Sequence, residues 1–239
     1  MLQRILYILG ALLLLFVSIE AVALLRLKHS INDNAAYWRG VAKNTKDGSI
    51  TYVALGDSTA QGIGASEPGN GYVGLLANDI ARATCKSVHT INLSVSGARI
   101  HDVIEKQLPQ LHKYKPDVVT IEIGANDATQ FDAQKFEREF RQLLPALPRG
   151  TIVSNLPYFG GRIKRSSEVT QANKIIARAV KEQGGLRLAD VYSATKVNNS
   201  VRNYAADWFH PSDRGYRNWR DAFWRPLLDK RANSKLYSV

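Results

Sequence analysis

The chain is poor in the residues that build disulfides and metal sites. Its 239 residues include one cysteine, Cys85. A single thiol excludes an intrachain disulfide and a multi-cysteine zinc site. Cys85 stands where a helical pattern runs out, with no redox motif around it, and reads as a small apolar residue, buried or half-buried. No His/Cys/carboxylate cluster has metal-ligand spacing, and neither a P-loop nor a dinucleotide fingerprint is present. No cofactor and no metal are therefore expected. A Gly-x-Ser-x-Gly elbow is also missing, which counts against the α/β-hydrolase type of serine enzyme. There is no internal repeat and no low-complexity tract.

Acidic residues are outnumbered, 21 against 32 basic ones, for a net charge of +11. That excess favours anionic surfaces such as lipid headgroups, wall polymer or nucleic acid, and fits equally a solvated basic surface without a specific partner. Toward the end of the chain come Arg214, Arg217, Arg220, Arg225, Lys230 and Arg231, interleaved with Trp208, Trp219 and Trp224. The arginines do not form one helical stripe. The reading preferred over a nucleic-acid patch is a solvated helix whose tryptophans pack on a sheet.

What is present begins with a long apolar run. Residues 5–25, ILYILGALLLLFVSIEAVALL, carry one charge, Glu20. Twenty-one residues at about 1.5 Å each cross a hydrocarbon core of roughly 30 Å. Two readings compete: a retained single-pass anchor, and a cleavable signal with Ala21-Val22-Ala23 as the small-x-small site. The length of the run favours the anchor. The flanking charges, Arg4 before and Arg26, Lys28, Arg39, Lys43 and Lys46 after, would on a simple count keep the domain in the cytoplasm. A short basic N-terminus before a leading apolar segment is nevertheless the layout of an export signal. The expectation is an extracytoplasmic domain, membrane-anchored, or secreted if the segment is cleaved. The organisation expected is residues 1–28 as this segment, 29–49 as a polar linker with a short helical turn around 35–42, and 50–239 as the catalytic domain.

From residue 50 the pattern alternates. Strands are expected at 50–55, 88–95, 117–123, 151–156 and 186–191. Helical stripes are expected at 72–83, 100–111 (interrupted late by Pro109), 131–147, 167–183 and 213–230. Such alternation implies an α/β fold, a parallel sheet of five strands with helices on both faces. In these sheets, sites form beyond the C-terminal ends of the strands. Four stretches near such ends carry reactive or unusual residues: Gly56-Asp57-Ser58 after the first strand, Gly97 after the second, Gly124-Ala125-Asn126-Asp127 after the third, and Asp207-Trp208-Phe209-His210 before the last helix.

These four blocks, in this order, resemble the SGNH hydrolases, also called the GDSL family of esterases and lipases. The resemblance covers residues 50–230, with Thr59 standing where the family usually has leucine. It implies a three-layer αβα sandwich of flavodoxin-like type. It also implies a carboxylic ester hydrolase with Ser58 as nucleophile, His210 as base and Asp207 as its orienting carboxylate. The oxyanion hole implied is the backbone N–H of Ser58, the backbone N–H of Gly97 and the side-chain amide of Asn126. The residue chemistry agrees with these roles. An imidazole can take the serine proton and return it to a leaving alcohol, and a carboxylate on its other nitrogen fixes the tautomer. Gly97 lets backbone approach a substrate, and Asn126 is a neutral donor for developing negative charge. Asp57 and Asp127 read as loop braces, and Gly62-x-Gly64 as backbone shaping near Ser58. The substrate expected is a lipid, lysophospholipid or O-acylated glycan ester. The other function class is a membrane-tethered binding protein for glycan or lipid that keeps the fold without turnover.

Overall fold

The computed structural model describes residues 2–44, 50–160 and 166–228. The chain opens with α1 (Leu2–Ala42), one unbroken helix of 41 residues. Its apolar N-terminal part is exposed, and it is long and apolar enough to cross a membrane. Residues 29–42, expected as a linker, continue this helix. The reason is a second inward face: Asn34, Ala35, Trp38, Val41 and Ala42 recur at i, i+1, i+4, i+7 and i+8, and Asn34 and Trp38 are buried against the domain. The rest of the expected linker, 45–49, lies outside the described residues.

Strand β1 (Ile50–Gly56) is followed by α2 (Tyr72–Thr84) and β2 (Val88–Asn92). Cys85 ends α2 with φ 53° and is exposed, which corrects the expected buried thiol. The position serves the left-handed turn that terminates the helix. The stretch 100–111 divides into α3 (Ile100–Asp102), a π-helical turn (Val103–Gln107) and α4 (Leu108–Leu111). Pro109 cannot donate the bond a regular helix needs there. Next come β3 (Val118–Glu122), α5 (Ala125–Ala128), α6 (Ala133–Leu143), β4 (Ile152–Ser154) and α7 (Ser166–Gln183). The chain closes with β5 (Arg187–Ala189), α8 (Val191–Val197) and α9 (Asp213–Leu227). Helix α8 begins at the last residue of the expected strand 186–191 and continues where the sequence pattern predicts no element. Its start is capped by Asp190, whose side chain accepts from the Ser193 N–H at 3.1 Å.

All strand pairs are parallel, in the order β2-β1-β3-β4-β5. Strand β1 sorts its side chains by parity. Val53 and Leu55 join Ile121, Val153, Phe136, Phe140, Ile175 and Ile176 on one face, while Tyr52 and Ala54 join Tyr72, Leu76, Tyr216, Trp219, Phe223 and Trp38 on the other. Two apolar cores on opposite faces of one parallel sheet make the expected αβα sandwich. The order reverses direction between β1 and β3, and a crevice at such a switch point is where these sheets place their sites. The end of β1 is crowded. Gly56, at φ 144°, lies so close to the Glu122 carbonyl that a Cβ would collide with it. Gln107, turned inward by the π-helical turn, accepts from the Gly56 N–H at 2.9 Å and donates to its carbonyl at 2.8 Å.

Candidate active site

Ser58 follows the switch-point strand directly, and the structure brings His210 to it across 152 positions of sequence. His210 Nε2 lies 2.9 Å from Ser58 Oγ, and His210 Nδ1 lies 2.5 Å from Asp207 Oδ2. The three-residue spacing works because Asp207 uses its oxygens differently. Oδ1 accepts the backbone N–H groups of Phe209 and His210, both at 3.0 Å, so the loop folds around the carboxylate and leaves Oδ2 for the ring. Burial raises the pKa of this carboxyl, but the His210 bond and charge and the two N–H bonds outweigh it and hold it below the ordinary aspartate range. An ionised acceptor on Nδ1 fixes the proton there and leaves Nε2 free to accept from the serine hydroxyl.

The base of this loop is pinned. Ala205 N–H donates to the His210 carbonyl at 2.8 Å, and Ser212 N–H to the Asn203 carbonyl at 2.9 Å. Phe209 sits edge-on to the His210 ring, 5.1 Å between centroids, and stacks on Phe159. Trp208 is exposed at the tip with φ 58°, which corrects the expectation that it packs on the sheet; Trp219 does so. On the other flank Gly64, at φ 93°, runs against the loop. A Cβ there would sit 2.5 Å from the Pro211 carbonyl oxygen and 2.9 Å from His210 Cβ. Gly64 thus shapes the wall behind the histidine, while Gly62 packs against Pro68 and Gly71.

Gly97 and Asn126 converge on the same crevice. A Cβ on Gly97 would meet nothing within 4 Å. Among the described residues, no protein group accepts from the backbone N–H of Ser58 or of Gly97. Asn126 differs. Its Nδ2 donates to Asp57 Oδ2 at 3.1 Å and to the Ala98 carbonyl at 3.0 Å, so both amide protons are committed within the protein. Asp57 is a brace: it also accepts from the Thr59 N–H at 2.9 Å. Asp127 braces the start of α3, accepting from Ile100 N–H at 3.3 Å.

Sequence reasoning missed two residues behind these. Glu122, the last residue of β3, is wholly buried beside Asp57, and its carboxyl oxygens have no N–H donor among the described residues. Burial, then the charge of Asp57, push its pKa far above the carboxylate range. Burial raises the pKa of Asp57 as well, but its bonds to Glu122 and to the Thr59 N–H oppose the rise, so the shared proton is favoured on Glu122. The signal in the sequence was one acid in the apolar run Val118-Val119-Thr120-Ile121-Glu122-Ile123. The second residue is Gln61. Its Nε2 donates to the Ser94 carbonyl at 2.9 Å and its Oε1 accepts from Ser96 Oγ at 2.6 Å, tying the loop of Gly97 to the loop of Ser58. Its own carbonyl accepts from Asn34 Nδ2 and Trp38 Nε1, each at 3.0 Å, so α1 is docked on the same node.

The GDSL-like lipase/acylhydrolase family model matches residues 54–217, a span that holds Ser58, Gly97, Asn126, Asp207 and His210. The chain belongs to this family. Among solved structures, an α/β hydrolase enzyme, LAE5, from a lake metagenome (Lake Arreo, Spain) superposes with a TM-score of 0.61 at 22% identity, covering 81% of this chain and 99% of its own. The acetylxylan esterase Axe2 from Geobacillus stearothermophilus gives 0.59 at 24% identity, over 77% of this chain and 97% of its own. TesA gives 0.62 at 20% identity, over 74% and 98%. At such identities these three share the fold. A search of curated sequences found no match. Family membership makes this GDSL chain an ester hydrolase in its broad class, on the sandwich expected from its sequence.

Proposed function

We propose that this GDSL hydrolase works through an acyl-enzyme on Ser58. His210 Nε2 accepts the hydroxyl proton as Oγ attacks the ester carbonyl, and then delivers it to the leaving alcohol. Water, deprotonated by the same nitrogen, releases the acid. Asp207 keeps the imidazole in register and stabilises its cation. The open N–H groups of Ser58 and Gly97 receive the oxyanion. Asn126 joins them by exchanging one of its internal bonds for the developing charge. The observation that carries this reading is the continuous contact from Ser58 Oγ through His210 to Asp207.

The ester is that of a lipid, a lysophospholipid or an O-acylated glycan, and α1 is a retained anchor that holds the domain outside the cytoplasm. Membrane is the counter-surface for the net positive charge, in preference to nucleic acid. Fluorophosphonate labelling tests the chemistry without a known substrate. The parent is expected to label, and Ser58→Ala and His210→Ala to lose labelling. An unlabelled, folded parent would remove the acyl-enzyme reading.

A further inference from the structure

Helix α1 runs antiparallel to β2. Its C-terminal residue, Ala42, accepts through its carbonyl from His89 Nε2 at 2.8 Å, near the start of that strand. Asn34 and Trp38 meet Gln61, whose side chain holds the Ser94 carbonyl, just past the strand's C-terminal end. The helix therefore leaves the domain through the C-terminal edge of the sheet, the edge that carries Ser58, Gly97, Asn126 and His210. From Asn34 back to Leu25, where the apolar run ends, is nine residues, about 14 Å of helix. A groove is lined on the helix side by Ile19, Val22, Ala23 and Leu27, and on the domain side by Gly64–Ser66 and Ala205–Ala206. The loop that carries His210 thus rises beside apolar turns of the helix.

The rim has the composition of a membrane-contacting surface. Trp208 is 53% exposed at the tip of the His210 loop, and Val95, two residues before Gly97, is 51% exposed. Tryptophan favours the headgroup level, where one end of the ring is apolar and the other wet. Arg26 and Lys28 on the helix and Arg202 before the loop are exposed cations, and Arg26 lines the same groove. They suit anionic headgroups.

From this geometry we infer that the catalytic crevice opens onto the leaflet in which α1 is anchored, with Trp208 and Val95 seated at its surface, and that the substrate is an acyl ester of a membrane lipid whose chain stays in the bilayer. This rests on the hydrolase reading and on retention of α1. In the reaction, Oγ–acyl bond formation breaks the lipid's acyl–oxygen bond, and the lipid alcohol leaves with the proton from His210. Water then cleaves the Ser58 ester to give the fatty acid and the free serine.

The test uses the full chain reconstituted in vesicles of phosphatidylcholine with a minority of phosphatidylglycerol, some brominated on chain carbons near the headgroup. Bromolipid is expected to quench a tryptophan component that Trp208→Phe removes. An environment-sensitive dye on Val95→Cys, in a Cys85→Ser background, is expected to be quenched as well. Absence of both signals overturns the inference whatever the enzyme does, since neither depends on turnover. A second arm compares a long-chain ester lipid in the enzyme's own vesicles with the same lipid in separate vesicles, with a soluble short-chain ester as the monitor of hydrolysis. Hydrolysis is expected to be at least about tenfold faster in the shared vesicle, as confinement raises effective concentration. Equal rates in both vesicle sets, with the short ester still cleaved, would overturn the substrate assignment and leave the hydrolase reading standing. Loss of short-ester cleavage by a folded protein would remove the hydrolase reading, and the quenching result alone would then decide membrane contact.

Discussion

Asp207 divides its two oxygens between the loop backbone and the imidazole, so replacing it separates orientation from charge. Asp207→Asn is expected to keep the loop bonds while presenting the wrong group to Nδ1, and to lower kcat by about 10³–10⁴-fold with little change in KM. Asn126→Ala is expected to cost about 10²–10³ in kcat, the usual worth of one oxyanion donor. Steady-state kinetics on any cleaved ester decide both. Glu122 makes a prediction of a different kind. Its raised pKa means that the folded chain holds a proton the unfolded chain releases near its ordinary value of about 4.3. Stability from this group is present below that value and is lost as pH rises toward the folded-state pKa. Asp207, held low, has the opposite sign: its contribution is present above the ordinary carboxylate range and lost as pH falls. Melting curves against pH are expected to show the alkaline loss shrink in Glu122→Gln; an unchanged profile would argue that Glu122 is ionised in the fold. At this scale the sequence singled out Ser58, Gly97, Asn126, Asp207 and His210 as candidates, because each stands in a short local pattern. Glu122 and Gln61 were hidden, because a lone acid or amide does not disclose a partner from another element.

At the scale of elements, the alternation of strands and helices was legible from period alone, since each strand buried on two faces reads as a short apolar run. The helical continuation through residues 29–42 was not. Its sequence is polar, and its inward face matters only once Gln61 and β2 are beside it. Nor was α8, a seven-residue helix set by one cap. The docked segment makes its own prediction. Trp38 is buried and hydrogen-bonded, and filling such a site by a large aromatic is worth about 3–5 kcal/mol against alanine. A chain beginning at residue 29 is therefore expected to unfold at higher denaturant than one beginning at residue 50, and Trp38→Ala in the former to erase most of that difference. Gly64→Ala tests the wall behind His210. Both its φ and the closeness of Pro211 and His210 oppose a methyl group, and a loss of more than about 1 kcal/mol is expected, together with reduced kcat.

At the scale of the whole molecule, the C-terminal edge of the sheet gathers the candidate site. The switch between β1 and β3 sets Ser58 and Asn126 side by side, and the late loop returns His210 from the far end of the chain. The family match spans these residues, and the fold is shared with the acetylxylan esterase Axe2 and with TesA at about a fifth to a quarter identity. Between them, Gln61 laces the serine loop, the Gly97 loop and α1 into one unit. A centre so laced has little play. It can admit a varied tail or leaving group, but the reacting carbon must come to one spot, because the two sides of the crevice cannot spread separately to meet it. Tolerance is therefore expected at the ends of a substrate and strictness at its middle.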